Sequence, residues 1–187
     1  MPKIINEDDV FKAVLELLAT RGYDRATTSE LATVANIHEA TLFRKYGSKI
    51  GLIERAIKHQ LSTTPMSKVS YSGDLRADLI AILAAYVATV EAHGEIMPMM
   101  LLEIPRHPEL KHSLQTPLAN IEGIMHILER YQSEGHLKEE PQLLTVNVLL
   151  GPIMVHEMYR RASPDLSAIP INLEDYVDAF LQGRMQK

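Results

Sequence analysis

The sequence predicts an all-α protein of about nine helices. Three observations carry this. Apolar residues recur at helical spacing in almost every segment, capping residues precede most of those segments, and no run alternates with the two-residue period of a strand. At 187 residues, 46% hydrophobic and 23% charged, the chain has the composition of a globular protein with a sizeable core.

Asn6 is a cap for the first helix. Asp9 stands three residues on as a capping-box-like partner, and Glu7, Asp8 and Asp9 complement the positive end of the dipole. Val10, Val14, Leu17 and Leu18 form the buried stripe, and Arg21-Gly22 ends the helix, glycine suiting a left-handed closing position. Thr27 and Glu30 make a second capping box for a helix from about Thr28 to Ala35. A third short helix is expected from about Glu39 to Tyr46, and Ser48 caps a fourth carrying Leu52, Ile53, Ala56 and Ile57.

Residues 62–73, rich in Ser, Thr, Pro and Gly, read as a connector. A long helix follows from Asp74 to about His93, then a Met-rich segment that stops at Pro105, and a turn at Arg106–Leu110. Pro117 should kink or restart the next helix, which ends at Gly135. Pro141 opens a long helix to about Ala162, bent at Gly151-Pro152, and Asn172 caps the last, to about Met185.

The charge of -5 is uneven. Residues 1–60 hold nine Lys/Arg against eight Asp/Glu, whereas residues 61–187 hold ten against sixteen; within residues 25–60 the count is six against three. A basic subregion can supply phosphate contacts in an anionic chain. Cysteine is absent, which removes disulfides and thiolate metal sites. The N-terminal residues have no apolar core of signal-peptide length, and the longest apolar runs are too short to span a bilayer, so a cytoplasmic location with no membrane partner is expected.

Residues 28–46 have the shape of a helix-turn-helix: a capped helix of about two turns, a joint at Asn36, Ile37 and His38, and a second short helix. Neither helix is stable alone, and Leu31, Val34, Ala35, Ile37 and Leu42 fit one shared small core. Asn36 stands where such a turn needs a positive φ. The hydroxyls of Thr27 and Thr28 at one helix start, Ser48 and Lys49 at another, and Lys45 and Tyr46 between them suit phosphate contacts. The exposed start of the third helix offers His38, Glu39, Thr41 and Arg44 to base edges; Glu39 can accept from a cytosine amine and would repel phosphate. The same pattern also describes a plain helical hairpin with a solvated face.

Gly22-Tyr23, Thr27-Thr28, Leu31-Ala32, Ala35-Asn36-Ile37, Thr41-Leu42-Phe43, Tyr46 and Ser48-Lys49, in that order and spacing, resemble the N-terminal domain of TetR-type transcriptional regulators over about residues 6–57. The resemblance implies a ligand-responsive DNA-binding regulator, most simply a repressor. It would have a helix-turn-helix domain at 1–50 and a helical ligand-binding and dimerisation domain at 51–187. It implies phosphate contacts from Thr28, Phe43, Lys45 and Lys49 and base contacts from the third helix. Three positions depart from the family pattern. Asn36 replaces the turn glycine and His38 replaces a serine cap. Phe43 replaces a tyrosine, so it has no hydroxyl for phosphate and is expected to pack on the sugar-phosphate backbone.

The family further implies a pocket among the central helices and a dimer interface from the last two. Candidates for an unknown small-molecule effector are Tyr86, His93, Met97, Met100, Met125, His126 and Tyr131, methionine suiting an irregular ligand. The helix from Pro141 is apolar over more of its circumference than one core face needs, and Leu144, Val148, Gly151 and Val155, with Tyr176 and Phe180, are expected at the homodimer interface. Two copies would set their third helices in successive major grooves about 34 Å apart on a near-palindromic operator of double-stranded DNA.

Catalytic and metal motifs fail on spacing. The His-Glu pairs at His38 and His156 lack the second histidine of a zinc-protease helix, since Leu42 and Arg160 stand there. No nucleophile elbow, P-loop or dinucleotide fingerprint occurs, so neither cofactor nor metal is expected. A helical enzyme acting on its ligand and a module using the helix-turn-helix against another protein are the alternative functions.

Overall fold

The computed structural model describes residues 6–93, 96–163, 165 and 171–185. Among these residues there are nine α-helices and no strand; Leu137 and Met185 form an isolated antiparallel bridge. The helices are α1 (Glu7–Arg25), α2 (Thr28–Val34), α3 (Glu39–Tyr46), α4 (Lys49–Leu61), α5 (Leu75–His93), α6 (Ile96–Glu103), α7 (Gln115–Ser133), α8 (Gln142–Ala162) and α9 (Leu173–Gln182). Short 3-10 turns occupy Pro65–Lys68 and Pro108–Leu114.

The caps act as their residue types dictate. Asn6 accepts from the Asp8 N–H at 3.1 Å, Ser48 from Gly51 at 3.0 Å, and Asn172 from Glu174 at 3.0 Å. The helix expected to end at Gly22 instead resumes to Arg25 after one left-handed residue, Gly22 at φ 76°. A Cβ there would lie 3.1 Å from a Glu103 carboxylate oxygen, so glycine serves both the turn and the close approach of α6. The 3-10 turn that starts at Pro108 gives way to α7 at Gln115, two residues before Pro117. Pro117 lies in the first turn of α7, where an N–H has no intrahelical partner to lose. α8 runs through Gly151 and Pro152 as one element, and α9 stops at Gln182, short of Met185.

The chain forms two compact units. One takes in the residues up to Thr63 and His93–Leu118; the other takes in Thr64–Ala92 and Ala119–Lys187. The first is wider than the 1–50 boundary drawn from sequence. Its core sets Val10, Phe11, Val14 and Leu18 of α1 with Leu52, Ile53, Ala56 and Ile57 of α4, and adds Ile96 and Met100 of α6. Each large side chain buried in this way contributes roughly 1.5–3 kcal/mol, so a break at residue 50 would strip α1 of its main partner.

The second core gathers Leu79, Ile82 and Leu83 of α5, Ile124 and Leu128 of α7, Val146, Leu149 and Ile153 of α8, and Val177, Phe180 and Leu181 of α9. Among the described residues, Asp78 is one of two buried carboxylates in this unit, with Glu157. Asp78 accepts from the Ser72 hydroxyl at 2.6 Å, the Ser72 N–H at 2.8 Å and the Tyr131 hydroxyl at 2.5 Å. Burial would raise this carboxyl, but those donors outweigh it and hold it below the usual carboxylate range.

Candidate nucleic-acid interface

α2 starts at a complete capping box. Thr27 accepts from the Glu30 N–H at 3.2 Å while Glu30 accepts from the Thr27 N–H at 3.0 Å. Arg21 holds the other Glu30 oxygen at 3.0 Å and ties α2 back to α1. The turn that follows passes through Asn36 at φ 54°, the single non-glycine residue with positive φ among those described. The Ile37 N–H then returns to the Ala32 carbonyl at 3.0 Å. Leu31, Ala32, Ala35 and Leu42 close the small core.

α3 buries Leu42 and Tyr46 and turns its other side outward. His38, Glu39, Ala40, Phe43 and Arg44 are exposed, and Thr41 is half-buried at the edge of that face. His38 makes no side-chain capping bond, as its replacement of serine implies. Among the described residues Arg44 has no ion-pair partner, so its five donors are free for a ligand. Glu39 is held: the Thr28 hydroxyl donates to its Oε1 at 2.6 Å and joins the start of α2 to the start of α3.

The residues expected to take phosphates divide. Ser48 remains exposed at the start of α4, Thr27 is committed to its capping box, and Phe43 is 43% exposed. Lys45 instead pairs with Glu7 at 3.0 Å, and the Tyr46 hydroxyl donates to the same carboxylate oxygen at 3.4 Å. Tyr46 is 5% exposed, its ring edge-on to Phe11 at 5.9 Å, so a free hydroxyl beside the inserted helix is corrected to an internal pin between α3 and α1. Hydrogen bonding to Lys45 holds the Glu7 carboxyl below its ordinary range, and the same bond raises Lys45. Lys49 donates to the Tyr23 carbonyl and sits over the Tyr23 ring, 3.9 Å from its centroid. Burial lowers its pKa against the pull of Asp24 and Glu103. Lys45 of α3 and Lys49 of α4 are therefore both bound to α1, and Arg44 is the cation facing outward.

The remaining expectations fare unevenly. Tyr131 is fully buried and spends its hydroxyl on Asp78; burial, then that bond, drives its pKa well above the ordinary phenol value. Met100 belongs to the core of the first unit and Tyr86 to that of the second. His126 is exposed, Met125 half-buried, and His93 half-buried with its pKa lowered first by burial and then by Lys12. The Met97 side chain lies outside the described residues. A cavity of about 760 Å3 opens elsewhere in the second unit, beside Asp74, Arg76, His136, Asp178 and Gln182. On the last helices, Leu144 and Val155 are exposed at 49% and 45%, with Val148 and Gly151 half-buried along the same side. Tyr176 donates to the Val148 and Leu149 carbonyls at 2.8 and 3.1 Å, and Phe180 is 5% exposed. Tyr176 thereby ties α9 to α8, and Phe180 belongs to the core of the second unit.

The model of the bacterial regulatory proteins of the tetR family matches residues 10–56, and that of the tetracyclin repressor-like C-terminal domain matches residues 69–170, more than half of the chain. The chain belongs to the TetR family. It is a DNA-binding transcriptional regulator, with the helix-turn-helix of α2 and α3 inside the first match. HTH-type transcriptional regulator YvkB of Bacillus subtilis is 24% identical over 152 residues, covering 81% of this chain and 80% of that protein. HTH-type transcriptional regulator TcmR of Streptomyces glaucescens is 25% identical over 186 residues, covering 92% and 81%. The fold is shared with the TetR family regulator PfmR of Thermus thermophilus, at TM-score 0.66 and 20% identity over 92% of this chain and 94% of that one. Among the described residues no helix is long and apolar enough to cross a membrane.

The outward side of Arg44 was legible from its place on α3. The internal commitments of Lys45 and Lys49 had no local signal, because their partners Glu7 and Tyr23 lie on α1 and reach them only once α4 packs there.

Proposed function

We propose that this TetR-family chain works as a cytoplasmic homodimeric repressor, which reads a near-palindromic operator through the outer side of α3 and lets go when a small molecule binds. Arg44 carries the reading. It is an exposed guanidinium with no partner among the described residues, on a helix whose other cation, Lys45, is paired with Glu7. A planar fork of donors matches guanine O6 and N7 in a major groove. His38 and Thr41 flank it, and Phe43 packs on the sugar-phosphate backbone.

The second copy supplies the second half-site. Its seat is the apolar side of α8, where Leu144, Val148, Gly151 and Val155 follow one another at helical spacing, with Leu143 and Tyr159 exposed nearby at 57% and 60%. A contiguous apolar strip of this kind is a common mark of a protein interface. The effector acts by binding the DNA-free conformation more tightly than the DNA-bound one; equal affinity would shift nothing. The reading assigns the chain no catalysis and no cofactor.

Selection of duplexes from a random pool, followed by binding at rising salt, tests it. The expected result is a motif of two inverted half-sites about one helical turn apart, with affinity falling steeply as salt rises. Equal recovery of all sequences would overturn the reading.

A further inference from the structure

Glu39 is out of place on a surface that meets phosphates. It is exposed, it stands in the first turn of α3, and among the described residues no cation pairs with it. What holds it is the Thr28 hydroxyl, 2.6 Å from Oε1. A mobile surface carboxylate would swing away from DNA; this one is tethered from α2, with one oxygen occupied and Oε2 left as an acceptor.

We propose that Glu39, positioned by Thr28, selects a cytosine in each operator half-site by accepting from its N4 amine. The inference rests on α3 being the helix that enters the major groove. An ionised carboxylate can only accept. Guanine and thymine offer acceptors on that edge and repel it; adenine offers N6–H, but its N7 acceptor lies alongside. Cytosine offers N4–H with a C–H as its neighbour on the same base. A carboxylate that meets no donor only opposes phosphate binding, so Glu39 lowers affinity for most sequences and spares the one with the matching base. Thr28 is a positioning residue in this scheme: it touches Glu39 and not the base.

Selection from a random duplex pool with wild type, Glu39→Gln, Glu39→Ala, Thr28→Val and Thr28→Ser tests the proposal, with binding to random duplex measured beside it. The wild type is expected to enrich a cytosine at one position of each half-site. Glu39→Gln moves that position toward adenine, because a carboxamide pairs with adenine N6 and N7. Glu39→Ala flattens that position alone, losing about tenfold in discrimination, while binding to random duplex tightens. Thr28→Val weakens the same preference and Thr28→Ser restores it, a pattern that simple loss of α2 stability would not give. A wild-type motif that Glu39→Gln and Glu39→Ala leave unchanged, or a uniform loss of affinity across sequences, overturns the proposal alone. A wild type that enriches no motif overturns the groove reading as well.

Discussion

The Lys49 ammonium donates to the Tyr23 carbonyl and rests 3.9 Å from the centroid of the Tyr23 ring, while Glu103 accepts the N–H of the same tyrosine at 3.2 Å. Tyr23 is thus held from both sides, by the first residue of α4 and the last of α6. Beyond it, the His107 ring leans on the Tyr23 ring, centroids 4.5 Å apart and planes tilted by 51°, and brings a ring nitrogen 3.1 Å from Asp24. The end of α1 is where α4 and α6 meet the same residue.

Lys49→Ala should therefore act on stability before it acts on DNA. Losing a hydrogen bond and a ring contact costs about 1–2 kcal/mol together. A thermal melt should show that loss, and the slope of log affinity against log salt should change by well under the roughly one unit of a lost phosphate contact. An unchanged melt with a full unit of slope would place Lys49 on the DNA.

Gly51 sets the distance between α3 and α4. A Cβ built on it would stand 2.3 Å from the Tyr46 carbonyl oxygen, a backbone atom that cannot rotate away. Gly51→Ala should displace the end of α3, cost about 1–3 kcal/mol by overpacking, and weaken operator binding in excess of the unfolded fraction. A melt and a binding isotherm on one preparation separate the two effects. Wild-type values in both would show that α3 does not depend on this approach.

The pin at Glu7 has a pH window. Its carboxyl is lowered by Lys45, so the stability it adds is complete above about 4.5, the ordinary value, and is lost as pH falls through the lowered one. Lys45 is raised, so its share is complete below the ordinary lysine value and lost only as pH climbs past the raised one. Both partners are partly solvated, so the pair is worth about 0.2–1 kcal/mol at most. Glu7→Gln should be less stable than wild type by that amount at pH 7, and the gap should close in melts as pH falls through the lowered value of Glu7. A gap that persists in acid would mean that Glu7 acts through packing.

Much of this was legible because it was local. The caps at Asn6, Thr27, Ser48 and Asn172, the left-handed turn at Asn36 and the limits of α3 each depend on residues within one turn of one another. What could not be read was set at a distance. Phe180 and Tyr176 look like any apolar stripe until α9 lies on α8, and Met100 shares its composition with a ligand pocket while packing in the same core as α1. The free guanidinium of Arg44 was legible as an exposed position, but the restraint of Glu39 by Thr28 required α2 and α3 to be brought together.

Tyr131 illustrates how a pocket candidate becomes a structural residue. Tyr131→Phe removes one of the donors to the buried Asp78 carboxylate and should cost about 1–3 kcal/mol in denaturant melts. Effector affinity, measured where the variant is folded, should stay at the wild-type value. A selective loss of effector binding with normal stability would return Tyr131 to the pocket.

The most direct measurement uses the absence of cysteine from the chain. Ala40, exposed on the outer side of α3, can be replaced by a unique thiol, Ala40→Cys, carrying a tethered iron chelate that cleaves nearby DNA. On the selected operator the expected result is two clusters of strand breaks with the major-groove offset, centred about 34 Å apart. Breaks spread evenly along the duplex, or no more numerous than from the same reagent at Ser62→Cys beyond the end of α4, would contradict the placement of α3 in the groove.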